Sequence, residues 1–507
     1  MAAPALSRSA RQPLADEALT AGKWFLICLA LYLVRILPWV LSEFWHEEVI
    51  TLGDFVLGPE GRGPLHVFRS YPVANNHILF SALGWWWVRF MGFTSDEFVL
   101  RLPNIVCGAL VMLVALRSWR RWLGAELSCL AGVALAISPV FGAFAGEFRG
   151  YALTMLLSAV AVTGLAEMSD GRWRRGLVLQ CLALLLLPLV IPSNALLGLA
   201  HALFVLLGPM GTIRRGRRLA GAAVLAGAAA LGLSYYLTIW DQFVKVLTIT
   251  SGWPSGLAVL GAVALGFAAH LSWPALALPV LLLRRRPVTP AAAAARSWSW
   301  LYAGCLAVPI LASALGKYTN APFPRVYLLY LVPFTFAVFR ALRSAGACTR
   351  RSFLAWVGLT VLIGFAWERA ASWRCEQAVR RGEHPQDLLQ QYYRGRTDLR
   401  GLAALVSSQD QRPPRPMVLT DAYDFPTFRY YWANFGMPAE AVFAENRLPE
   451  GLWPRLRGMP GVSLHAVAGS EMEAARIFAA AGAPGAFAPG PAVGLRRLYT
   501  LLPPGQP

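Results

Sequence analysis

The chain has 507 residues, of which 56% are hydrophobic and only 14% charged, and its mean hydropathy is +0.49. Soluble domains carry about 25% charged residues, so this composition excludes a soluble enzyme, a disordered chain and a collagen-like one, and points to a polytopic membrane protein with a modest soluble part. The net charge of +19 would suggest nucleic acid in a soluble protein, but in a membrane protein it reports basic cytoplasmic loops, and the positions of the arginines decide between the two.

A short segment, 1–22, precedes the first apolar run at 23–41. That run is long and has no small-residue cleavage site, so it reads as a retained anchor and not as a signal peptide. Further runs lie at 100–116, 126–144, 151–167, 177–192, 195–211, 218–239, 256–283, 297–315, 325–340 and 353–367, giving about eleven spans by the criterion of roughly 20 apolar residues per crossing. The run 78–93 is different. It is short, carries Arg89 and the cluster Trp85-Trp86-Trp87, and Trp prefers the membrane interface.

Charge settles its place. Arginines cluster at 117–121, 172–175, 214–218, 284–296 and 340–351, 18 in all. If 78–93 does not span, every cluster falls on the side of the N-terminus; if it spans, all of them lie outside. The positive-inside rule selects the first arrangement. The run 78–93 is therefore expected to be an amphipathic helix on the outer surface. The N-terminus is then cytoplasmic, the region 23–375 is a transmembrane helical bundle, and the loop 42–99 and the tail 376–507 are external. In a bacterium this means the inner membrane and the periplasm.

After residue 376 polar residues and prolines return, and the tail reads as a small α/β domain. Pro416–Thr420 predicts a short buried strand, Thr397-Asp398 a helix cap, Glu471–Ala481 a helix and 495–502 a final strand. The seven cysteines lie mainly in the spans, show no metal-ligand spacing and are absent from the tail.

On this topology polar groups that a bundle does not need collect at the external face. Glu47 and Glu48 follow the first span; Asp54, His66, Asn76 and His77 lie in the same loop; Arg101 opens the second span; Glu147 and Arg149 lie between the third and fourth; Lys317, Tyr318 and Arg325 lie between the ninth and tenth. A carboxylate can act as general base toward an acceptor hydroxyl or amine, and arginines and a lysine can hold a phosphate. Together they suit transfer from a lipid-phosphate donor with the phosphate as leaving group. His77 with Glu47 or Glu48 is also a candidate ligand set for a divalent cation across that phosphate. No P-loop or dinucleotide fingerprint is present. His201 and His270 lie inside apolar runs and read as inter-helix hydrogen-bonding groups.

Several of these elements carry a resemblance. Arg101-Leu-Pro-Asn104 is followed in order by Arg120-Arg-Trp-Leu-Gly124, Ile137-Ser-Pro139 and Gly146-Glu-Phe-Arg-Gly-Tyr-Ala-Leu153. With Glu47-Glu48, Asn76-His77-Ile-Leu79 and Pro324-Arg325-Val-Tyr327, they resemble the family C (GT-C) membrane glycosyltransferases, the group of protein O-mannosyltransferases and lipid A aminoarabinose transferases. The resemblance covers roughly residues 20–370. Here Glu47 stands where the family has Asp, and the two prolines that follow in the family's Asn/His-Pro-Pro-Leu element are absent. The resemblance implies an inverting sugar transfer from a polyprenyl-phosphate donor to a glycan, lipid or protein acceptor, with membrane lipids as surroundings and no nucleic acid. It favours Glu47 (or Glu48) as base; the placement of the other groups at the external face assigns Arg149, Arg325, Lys317 and Arg101 to the donor phosphate, and Asn76, Tyr318 and Glu147 to the substrate. A lipid-linked glycan transporter, or a relative that binds a lipid glycan without turnover, are the alternative readings.

Overall fold

The structure, a computed structural model, describes residues 12–58, 63–71, 76–94, 96–211, 213–250, 257–271, 289–315, 327–346, 348, 351–381, 398–409, 416–420, 424–435, 437–444, 463–483, 485–494 and 496–502. The chain forms two compact bodies. The first gathers Met1–Leu37, Gly63–Gly92 and Leu100–Glu368; the second gathers Pro38–Arg62, Phe93–Val99 and Arg369–Pro507. The sequence places one boundary near 376. The folded chain also brings two pieces of the first loop, 38–62 and 93–99, into the body that holds the tail.

The first body is helical. Six described helices are long and apolar enough to cross a membrane, or seven if one bent pair is a single span. The bent pair is Ala125–Ile137 and Pro139–Ala145, turned by 62°. The apolar run 126–144 looks continuous in sequence, but Pro139 brings no N–H, and Ser138 leaves helical geometry to cap the second piece, its hydroxyl accepting from Phe141 N–H at 3.1 Å. The run 78–93 forms the helix Ile78–Phe90, whose 13 residues are too few to span.

Lipid offers helices no hydrophobic drive to associate, so close backbone approach and polar pairs hold them together. A Cβ on Gly164 would stand 2.8 Å from the carbonyl oxygen of Gly176, so the helices Tyr151–Ser169 and Trp173–Val190 meet backbone to backbone there. His201 bonds Gln180 Oε1 at 2.8 Å and Tyr302 Oη at 2.7 Å, tying three helices. His270 bonds Ser138 at 2.5 Å, at the bend, and Thr335 at 2.8 Å. The buried Arg35 pairs with Glu368, joining the helices Gln12–Val40 and Phe353–Arg380.

The second body contains a five-stranded sheet: β1 (Pro416–Thr420), β2 (Val442–Ala444), β3 (Ser463–Ala468), β4 (Phe487–Val493) and β5 (Arg496–Leu501), in the order β2-β1-β3-β5-β4. β1 runs parallel to β2 and β3, while β5 pairs antiparallel with β3 and β4. Side chains alternate across a strand, so Val418 and Leu419 of β1 enter different cores. Val418 packs with Leu402, Phe428 and Trp432 of the helices Leu399–Gln409 and Phe425–Asn434; Leu419 packs with Ile477 and Phe478 of Glu471–Ala480. This is the α/β domain expected of the tail.

Candidate functional site

Two groups of the expected residues are described, one in each body. In the helical body the turn Gly146–Gly150 precedes the helix Tyr151–Ser169, and His77 stands just before the helix Ile78–Phe90. The turn and this helix are fixed to each other by Phe148 against Phe80, rings 5.2 Å apart and edge to face. His77 lies edge-on to Tyr151 at 4.9 Å, and the Arg149 guanidinium carbon is 5.1 Å from the same ring's centre. His77, Glu147 and Arg149 are all buried.

The hydrogen bonds around His77 define its chemistry. Gly150 N–H donates to Nδ1 at 2.8 Å. Arg149 Nη2, always a donor, lies 3.1 Å from Nε2. A neutral imidazole accepts on one nitrogen only, so the tautomer decides which of these two contacts is the full hydrogen bond. The buried Arg149 guanidinium is a permanent cation, a group that favours an anionic oxygen. This setting does not suit the divalent cation expected at His77: one ring nitrogen faces a backbone amide and the other faces a guanidinium. Among the described residues no group of three or more His, Cys, Asp or Glu could hold a metal ion.

Arg149 is anchored from its backbone. Its N–H donates to Glu147 O at 2.7 Å, and its carbonyl accepts from Asn104 Nδ2 at 2.9 Å. The motif Arg101-Leu-Pro-Asn104 therefore serves to seat the Arg149 turn, with Arg101 buried one helical turn away. Asn76 is used by the fold. Its Nδ2 donates to Val67 O and Ser70 O at 3.2 and 2.6 Å, and its Oδ1 accepts from Ser81 Oγ at 2.9 Å.

In the second body Glu47 and Glu48 are buried in the five-residue helix His46–Ile50. They differ in employment. Glu48 Oε2 accepts from Trp45 N–H at 3.0 Å, the N3 acid of a helix start reaching back to the cap. The Glu47 backbone carbonyl accepts from Thr51 Oγ1 at 2.8 Å. Phe44 N–H donates to Tyr431 Oη at 2.7 Å, and Arg400 N–H donates to Glu43 Oε2 at 2.6 Å. Asp54 is exposed in the π-helical stretch Thr51–Leu57, and His66 closes the 3-10 turn Pro64–His66. Lys317, Tyr318 and Arg325 lie outside the described residues.

Sequence reasoning gave no role to Gly150, which acts through its backbone amide and has no side-chain signature, or to Arg400. Asn104 was visible only as part of a motif, and Tyr431 only as one tail residue among several that could meet an acceptor. Tyr431 and Arg400 are 387 and 357 residues from the groups they bond, so no local pattern links them.

No protein-family model and no curated protein matches the chain. Solved structures do. ArnT from Cupriavidus metallidurans in the apo state aligns with a TM-score of 0.54 and 17% identity over 95% of this chain and 98% of that one. The same protein bound to undecaprenyl phosphate aligns with a TM-score of 0.51 and 17% identity over 94% and 97%. At this identity the likeness is one of fold: the chain shares the fold of these ArnT structures, with mostly helical architecture and a small C-terminal sheet.

Proposed function

We propose that this chain is a membrane glycosyltransferase that moves a sugar from a polyprenyl-phosphate donor to an acceptor at the external face of a bacterial inner membrane, with inversion. What carries the reading is a fold likeness that runs the length of both chains, to a protein solved with undecaprenyl phosphate bound. The buried Arg149 guanidinium, held beside His77, supports it, because a phosphate monoanion or dianion is the kind of group a permanent cation favours.

In the proposed reaction the acceptor oxygen or nitrogen attacks the anomeric carbon. The bond from that carbon to the phosphate oxygen breaks, and its electron pair stays on the leaving polyprenyl phosphate. The acceptor's proton passes to Glu47. Arg149, steadied by His77, stabilises charge that grows on the phosphate, as fixed donors do most effectively in a dry site. Arg101, Lys317 and Arg325 are the further cations we assign to the donor, and Tyr318 and Glu147 the neighbours of the sugar. Glu47 takes the base role over Glu48 because the Glu48 carboxylate already caps its own helix.

Purified protein incubated with defined polyprenyl-phosphate sugars and envelope-derived acceptors tests this by release of free polyprenyl phosphate. Loss of a general base costs about 10²-fold or more. Glu47→Gln is expected to lose that much, while Glu48→Gln, which weakens a cap, lowers stability by about 1 kcal/mol and keeps most of the turnover. Full transfer by Glu47→Gln sinks the base assignment; no release from any donor sinks the enzyme reading.

A further inference from the structure

Glu47 lies in the first turn of a continuous helical stretch, His46–Ile50 followed directly by Thr51–Leu57. The first turn of a helix leaves backbone N–H groups without partners inside the helix. The residues just before it set how that turn enters. Two successive backbone amides there are both taken by side chains. Trp45 N–H goes to the local Glu48, and Phe44 N–H goes to Tyr431 Oη, far along the chain in the C-terminal domain.

Tyr431 is itself oriented. Its hydroxyl hydrogen goes to Glu97 Oε1 at 2.9 Å, and Arg400 Nη1 reaches the same oxygen at 3.0 Å. With its one hydrogen committed to Glu97, the phenol oxygen presents a lone pair to Phe44 N–H. Arg400 also donates its backbone N–H to Glu43. Glu43 and Phe44 are thus both bonded to the C-terminal domain, directly ahead of the helix. Tyr431, Phe44 and Glu43 are buried, so these bonds form where water does not compete.

We infer that the C-terminal domain positions the proposed base: Tyr431, braced by Glu97 and Arg400, clamps the segment Glu43–Trp45 and so presents Glu47 to the reaction in one orientation. The inference rests on Glu47 being the base. Tyr431 is a positioning residue, acting through the backbone of Phe44. The domain then serves the chemical step and not only the capture of an acceptor.

Tyr431→Phe keeps the ring in its core and removes only the oxygen; Glu97→Gln is a second variant that weakens the brace without changing its size. In the full-length protein both are expected to lower kcat about tenfold, since small misplacements of a reacting group cost up to that much or more, while donor KM stays within about twofold. Amide exchange over 38–57 is expected to quicken in both. On a Glu47→Gln background, Tyr431→Phe is expected to cause no further loss, because there is no base left to misplace. Unchanged exchange over 38–57 overturns the clamp whatever the activity. An equal fractional loss with and without Glu47 overturns positioning of the base. Wild-type transfer by Glu47→Gln overturns the base reading instead, and is told apart because exchange in Tyr431→Phe still quickens.

Discussion

Gly150 shows how tightly the His77–Arg149 corner is built. A Cβ at this position would stand 2.5 Å from Val190 Cγ1 and 2.8 Å from His77 Nδ1, closer than side-chain atoms pack. The glycine is therefore required by proximity: only a residue without a side chain lets its amide reach the imidazole at 2.8 Å. Gly150→Ala is expected to push His77 away, release Nδ1 and let the ring change tautomer. Overpacking of this kind costs about 1–3 kcal/mol in stability. Loss of one oriented donor to a charged group is worth about 1.5–3 kcal/mol, so donor KM is expected to rise by about tenfold or more. Steady-state kinetics together with a thermal melt check this; a stable variant with unchanged donor KM removes His77 from the donor site.

At the scale of elements, the sequence was most legible where periodicity and chemistry agree. The short helix Ile78–Phe90 was announced by Arg89 and three tryptophans in a run too brief to span. β1 and β5 were visible as apolar runs, and the helix Glu471–Ala480 by its period. β4 was not, because Pro489, Gly490 and Pro491 read as a loop; an edge position is what tolerates them. Its neighbour β5 supplies a regular partner, with a register shift between Pro489 and Ala492 absorbing the irregular stretch. Of the expected residues, Glu47, Glu48, His77 and Arg149 were legible as charged or ionisable residues near span ends. Which of the two glutamates turns back to Trp45 N–H was not, since that depends on the local fold.

The C-terminal body also carries a pH signature. Burial, reinforced by the Glu97 carboxylate, pushes the Tyr431 phenol far above its ordinary value, and burial raises Tyr430 and Tyr499 as well. In the unfolded chain a tyrosine ionises near pH 10, whereas the folded Tyr431 keeps its proton there. Above about pH 10 the native state binds more protons than the unfolded state, so stability is complete below that pH and falls as pH rises, by up to about 1.4 kcal/mol per pH unit for one such group. The Tyr431 bond to Glu97 stays intact through the neutral range. Melts of the purified protein from pH 8 to 11 are expected to show a falling melting temperature above pH 10, and Tyr431→Phe is expected to flatten the fall without removing it. An identical slope in the variant contradicts the burial argument.

For the whole molecule the decisive question is which way the bundle faces, and the helix Tyr151–Ser169 frames it. Its C-terminal end gathers basic clusters from three parts of the chain. Arg121 pairs with Asp170 at 3.0 Å, Arg172 with Glu167 at 3.3 Å, and Arg343 donates to the carbonyl of Arg121 at 3.1 Å. Its N-terminal end begins at Gly150, beside Arg149 and His77. Nineteen residues at about 1.5 Å each make a rod of roughly 28 Å, close to the hydrocarbon thickness of a bilayer. The arginine face and the His77–Arg149 corner therefore lie a membrane's width apart. Since short loops rich in arginine are retained in the cytoplasm, the corner is expected to face outward, the side on which the proposed lipid-linked donor would be used. A reporter enzyme active only outside the cytoplasm is expected to be silent when fused after Gly171 and active when fused at the C-terminus. The reverse pattern places the His77–Arg149 corner in the cytoplasm and removes the external transfer reaction, because neither the topology nor the choice of a lipid-carried donor survives it.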